Sequence, residues 1–270
     1  MPASNITFSS CWYNFKAKFP SSVYEAWIEN MLSNVNNYYL VIYTDADGYE
    51  FLKKYNNVNI KMIVKPYTEF YTYKLKHRWE VNHQENTLLK DKVDWRVNML
   101  WSEKIHFVKC TANENYFKTD YFGWCDIGYF RNRNNDTSTE KLINWPNNTK
   151  IDQLDKSKIH YVLINNNQHY IQQLHSIIIQ KNGLGLPSHP IPPNQLSVAG
   201  GFFLTHSNNI SWWHETYYDQ LQNYLDNNYL VKDDQIVIVD CVFSNIDKFQ
   251  LYREYERSFD NWFMFQRILL

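Results

Sequence analysis

Three short apolar runs separated by helix-patterned stretches open the chain, and they constrain its fold more than any other feature. Ile6 to Trp12, Tyr38 to Thr44 and Ile60 to Val64 each read as a buried strand. Between the first two, Val23, Trp27, Ile28 and Met31 recur at helical spacing, so Ser22 to Leu32 reads as a helix with Ser21 or Ser22 as its cap. Between the second and third, Asp45-Ala46-Asp47-Gly48 reads as a turn and Tyr49 to Tyr55 as a short helix. Strands that alternate with helices in this way pair in parallel, joined by right-handed crossovers. The expected fold is α/β: one Rossmann-like domain over residues 1–270, with a mostly parallel central sheet flanked by helices.

The remainder continues the alternation. Thr68 to Asp94 reads as helical or irregular and partly exposed. Asp94 to about Cys110 reads as one helix, with Val97, Leu100, Trp101, Ile105 and Val108 on one face. Tyr121 to Cys125 reads as a strand followed at once by the acid Asp126, and Asn132 to Ser138 as a loop with little to order it. Ile159 to Ile164 and Ser197 to Thr205 read as strands, the second with Gly200-Gly201 inside it. Tyr170 to Gln180, Ser211 to Asn227 and Lys232 to Phe243 read as helices, and Leu184 to Pro193 as a surface connection. No internal repeat and no linker divides the chain.

Composition narrows the function classes. A net charge of -1 gives no global attraction to nucleic acid or to an anionic membrane. No apolar run approaches the roughly 18 residues of a membrane span, and no signal segment opens the chain. The four cysteines lie far apart without a Cys-x-x-Cys pair, which argues against zinc and reads as reduced thiols. A soluble, cytoplasmic protein is expected. Aromatic residues at 17% suit a chain that binds sugars or flat rings.

The chemistry concentrates at Trp124-Cys125-Asp126-Ile127-Gly128. An ionised carboxylate among apolar residues is costly unless paired or bound to a cation. Just past the end of a central α/β strand it sits where such folds hold ligands, and Gly128 lets the chain turn or a ligand approach.

An ordered set of motifs then carries a resemblance. It comprises Thr7-Phe8 with the aromatic loop after it, Val41-Ile42-Tyr43-Thr44-Asp45, Trp101-x-x-Lys104, Trp124-x-Asp126-x-Gly128, Gly200-Gly201-Phe202-Phe203 and Asp233-Asp234-Gln235. This set resembles the GT-A nucleotide-sugar glycosyltransferases and, more narrowly, the bacterial and giant-virus proteins related to HtrL/YibB and WlaTC, over about residues 6–252. The resemblance implies a nucleotide-binding half (about 1–131) and an acceptor-side half (about 132–270). It implies transfer of a sugar from a nucleotide diphosphate, UDP foremost, to a glycan or glycoconjugate acceptor, with Mn²⁺ or Mg²⁺ as cofactor.

By that resemblance Asp126 holds the metal, and Trp12, Tyr13, Thr44 and Asp45 surround the base and ribose. Arg96, Lys104, Gly128 and Arg131 face the donor, with Arg96 placed on the same helix face as Lys104. Gly200, Gly201 and Phe202 line the acceptor side, and Asp234 with Gln235 contacts the transferring sugar or serves as base. His206, after the glycine strand, reads as a metal ligand or an acceptor contact. The usual Asp-x-Asp motif is here Asp126-x-Gly128. Either Asp126 is the sole protein carboxylate on the metal, or the metal is held elsewhere, or it is dispensable. Two other classes remain open: a non-catalytic nucleotide- or sugar-binding protein of the same fold, and a metal-dependent hydrolase using Asp126 with Asp233 or Asp234.

Overall fold

Strands β1 (Ile6–Trp12), β2 (Tyr39–Thr44), β3 (Ile60–Val64), β4 (Tyr121–Cys125), β5 (Ile159–Val162), β6 (Phe202–His206) and β7 (Phe249–Tyr252) form one sheet in the order β3-β2-β1-β4-β6-β5-β7. The computed structural model describes residues 4–256 and 258–270. Strands β1 to β4 run parallel, as their intervening helices require. β6 is antiparallel to β4, with Cys125 opposite Phe202 and Tyr121 opposite His206. The fold is thus mixed α/β, mostly parallel and Rossmann-like, and its sheet joins strands from both halves of the chain.

The helices are α1 (Ser21–Leu32), α2 (Ala46–Leu52), α3 (Lys76–Glu85), α4 (Trp95–Trp101), α5 (Lys104–Glu114), α6 (Thr139–Leu142), α7 (Asn148–Asp152), α8 (Gln168–Ile179), α9 (Ile210–Asp226), α10 (Asp234–Ser244) and α11 (Phe265–Ile268). Strand side chains alternate between two apolar layers. Val41, Tyr43, Phe122, Trp124 and Phe203 pack with α5, α8, α9 and α10. Leu40, Ile42, Tyr121, Cys125, Phe202 and Leu204 pack with α1 and with Phe263 to Leu269. Burial on both faces explains why these strands read as apolar runs and not as alternating patterns.

Several sequence expectations are corrected. Asp94 to Cys110 is two helices, broken at Ser102-Glu103. The break has a polar cause. The buried Glu103 carboxylate turns away to accept Tyr71 N at 2.9 Å and Thr72 N at 2.8 Å, while Ser102 O accepts the Tyr218 hydroxyl at 2.7 Å. Asp45 to Gly48 is no free turn but the start of α2, with the Asp45 side chain accepting from Gly48 N at 2.8 Å. α1 begins at Ser21 after Pro20 and has no side-chain cap. Gly200-Gly201 precedes β6 and does not lie within it. The 132–138 loop is tied by Arg133 to Asp136 and Asp260, each at 2.9 Å. Strand β7 and the packed segment 260–270 carried no pattern strong enough to be expected.

Candidate functional site

Topology brings the site together before any side chain is considered. β4 ends at Cys125, and antiparallel β6 begins opposite it at Phe202. Asp126, just past one strand, therefore meets Gly200-Gly201, just before the other, and Asp126 N donates to Gly201 O at 2.9 Å. The ends of β1 and β4 border the same crevice, the place where open α/β sheets hold ligands. A cavity of about 520 Å³ opens there.

Lys104, the first residue of α5, reaches into the floor of this cavity because its neighbour Glu103 is pulled the opposite way. Its Nζ donates to Gly200 O at 2.9 Å and lies 3.2 Å from Asp126 Oδ1 and 3.0 Å from Asp234 Oδ2. Burial opposes the Lys104 charge, but the carboxylates of Asp126 and Asp234 outweigh it and raise its pKa. Asp234 opens α10, where an acid suits the helix dipole. Burial pushes its carboxyl up to about 6 against the pull of Lys104, and Asp233 and Asp126 add to the rise.

The two acids differ in access. The Asp126 side chain is 42% exposed and that of Asp234 is 5% exposed. Trp124 and Asp126 share a side of the strand end, so the indole Nε1 donates to Asp126 Oδ1 at 2.6 Å. Asp126 Oδ2 faces Gly201, where an added Cβ would lie 3.0 Å away, and Gly200 leaves the same clearance for Asp234 Oδ2. The glycine pair is what lets both acids approach the backbone.

Of the residues expected at the site, Trp12, Tyr13, Lys104, Asp126, Gly128, Arg131, Gly200, Gly201, Asp234 and Gln235 line this one cavity. Others do not. Thr44 is buried and donates to Trp12 O at 2.6 Å. Asp45 is spent on capping α2. Arg96 lies on α4, beyond the break that separates it from Lys104. It donates to Asp94 at 2.8 Å and 2.9 Å and covers the Phe15 ring at 4.4 Å. Phe202 packs in the opposite layer against Phe8 and Phe265. His206 sits at the far end of β6, beside Tyr121, because the strand runs away from the site.

A family model described as "Bacterial protein of unknown function (HtrL_YibB)" matches residues 11–269. The chain belongs to the HtrL_YibB family. No curated protein matches it. The HtrL_YibB match extends through the C-terminal segment, whose Asp260, Trp262 and Phe263 form a cavity wall that the motifs did not reveal. Lys18, Trp27 and Trp101 were missed as well. The helical spacing of Trp27 and Trp101 reads equally as core packing, and Lys18 lies in a loop with no spacing signal. The four cysteines are free thiols, and Cys11, packed against the core, also lines the cavity.

The arrangement poorly suits a metal held by the protein. Oδ1 of Asp126 is already engaged by Trp124 and Lys104, leaving Oδ2 alone. An acid at position 128 has no room, because a Cβ on Gly128 would meet Trp27 Cε3 at 2.8 Å. Among the described residues, no three His, Cys, Asp or Glu side chains are placed to hold a metal ion. Hard cations favour several oxygen ligands, and the protein by itself offers Asp126 Oδ2, so a cation here would depend on the donor's phosphates and on water for the rest.

Proposed function

We propose that the protein is a glycosyltransferase that moves a sugar from a nucleoside diphosphate donor, UDP foremost, to a glycan acceptor. The observation that carries the reading is the Asp126–Lys104–Asp234 cluster beneath Gly200-Gly201, in a cavity at the carboxyl ends of β1 and β4. Its volume of about 520 Å³ suits a small-molecule ligand. In this reading Trp12, half-buried at the end of β1, stacks on the base. Tyr13 does so less, since it is buried with its hydroxyl donating to Lys65 O at 2.7 Å.

The glycine pair leaves space for the transferring sugar. Asp126 then orients that sugar with its free Oδ2, and Asp234, with its raised pKa, takes the acceptor proton. Lys104 holds both carboxylates in place and lowers the repulsion between them. A hydrolase of the many-carboxylate kind finds no matching cluster among the described residues.

A thermal-shift screen against nucleotide sugars tests the reading first. A bound donor stabilises by RT ln(1 + [L]/Kd), about 2.7 kcal/mol at a hundredfold excess over Kd. A hit must then release its nucleotide faster when a glycan acceptor is added. Binding without any turnover would instead mark a nucleotide-sugar-binding protein. No shift with any nucleotide sugar would end the donor reading.

A further inference from the structure

We infer that the cavity receives the diphosphate of its nucleotide through Lys18 and Arg131, independently of a divalent cation. The inference rests on the donor reading above.

Lys104 is shared by Asp126 and Asp234. Arg133 is held by Asp136 and Asp260. Asp233 pairs with Lys232 at 2.7 Å. Two cations are left over, Lys18 and Arg131, and among the described residues neither has a carboxylate within 4.0 Å.

Both leftover cations are positioned by rings instead. Arg131 lies over Trp27 at 4.1 Å and Phe263 at 4.9 Å, with its Nε donating to Gly128 O at 3.2 Å. Lys18, at the exposed rim, lies 4.7 Å from the Trp101 ring centre. A ring face orients a cation without neutralising it, so its charge remains available to an anion. A half-buried guanidinium without a carboxylate is an unusual expense in a fold unless a ligand supplies the partner. Burial lowers the Arg131 pKa, the neighbouring Arg133 charge lowers it further, and the more distant Asp126 carboxylate offsets them only in part.

The metal alternative meets two obstacles in the same place. The ammonium of Lys104 already stands between the two acids that a cation would bridge. Trp27, the residue that positions Arg131, also fills the space a second acid at 128 would need. One indole therefore both excludes the second metal ligand and presents the replacement cation.

The test measures binding of UDP, GDP and ADP to the full chain by calorimetry, in EDTA and then in Mn²⁺ or Mg²⁺. The expected result is an affinity for the preferred nucleotide that stays within about twofold across the three conditions. Lys18→Met and Arg131→Met should each weaken it by about tenfold or more, the effect of losing one charge-assisted hydrogen bond. The same variants should affect the matching nucleoside monophosphate less. Lys18 is at the rim, so its variant should fold normally, and Arg131→Lys should recover part of the loss if Arg131→Met is unstable.

Nucleotide binding that appears only with metal overturns this inference and leaves the donor reading standing. Wild-type affinity in the Lys18 and Arg131 variants also overturns it. No nucleoside diphosphate binding in any condition overturns both.

Discussion

Helix α10 carries two buried acids whose surroundings differ. Asp240 accepts from Gln220 Nε2 at 2.8 Å, the Tyr224 hydroxyl at 2.8 Å and Ser244 Oγ at 2.9 Å, and it pairs with Lys181. Its lone pairs are filled by the protein. Asp234, at the cavity end of the same helix, meets Lys104 and receives no hydrogen bond from a hydroxyl or amide among the described residues. Equal burial therefore does not mean equal role. The saturated acid ties α9 and α10 to Lys181, just past α8, whereas the under-satisfied one keeps capacity for a ligand beside an open wall.

The strongest challenge to this contrast is Asp234→Asn. Sugar transfer should fall by about 10²–10⁴, while nucleotide affinity stays near wild type. Wild-type transfer would make Asp234 a second structural acid and erase the distinction. Next is Asp240→Ala, which strands Lys181 and buried donors and should cost about 3 kcal/mol in urea unfolding, with nucleotide affinity of the folded fraction retained. A loss under about 1 kcal/mol would show that its network is not what holds these helices.

A smaller effect follows pH. Asp234 titrates near 6 in the fold, above an unfolded aspartate. The folded chain then holds more protons than the unfolded one between the usual aspartate range and pH 6. Stability from this group falls as pH rises through that window, by at most about 1.4 kcal/mol per pH unit. Unfolding measured from about pH 4 to about pH 7 should show this decline in wild type and lose it in Asp234→Asn. Transfer should move the opposite way, rising to a plateau above about pH 6 as the base ionises. The smallest effect is expected at Asp45, which the structure spends on a cap. Asp45→Asn should change stability by only a few tenths of a kcal/mol, since Asn caps nearly as well, and should leave nucleotide affinity unchanged. A large loss of affinity would return Asp45 to the nucleotide pocket.

The β1–β4 core was legible because its strands are buried on both faces and read as apolar runs. Asp126 stood out because a single acid ended such a run. Lys104 and Arg96 looked equivalent from spacing alone. The helix between them is broken by the pull of Tyr71 and Thr72 on Glu103 and of Tyr218 on Ser102 O, none of which shows in the local spacing. His206 was misplaced for a topological reason: the direction of β6 cannot be read from its own residues. The wall formed by residues 260–263 depends on packing against distant Tyr129 and Arg133, which leaves no local periodicity to detect.

The contact between Trp27 and the bare Cα of Gly128 restricts how this site can be rebuilt by successive single replacements. Introducing an acid at 128 first would dislodge the indole, and with it the ring face beneath Arg131. Shrinking Trp27 first would open the space but release the guanidinium before any carboxylate arrives to use the gap. The route to a two-acid centre therefore passes through an intermediate weaker than either end. A designer converting the site should change positions 27 and 128 together, and homologues should carry either the large ring with glycine or a smaller side chain with an acid.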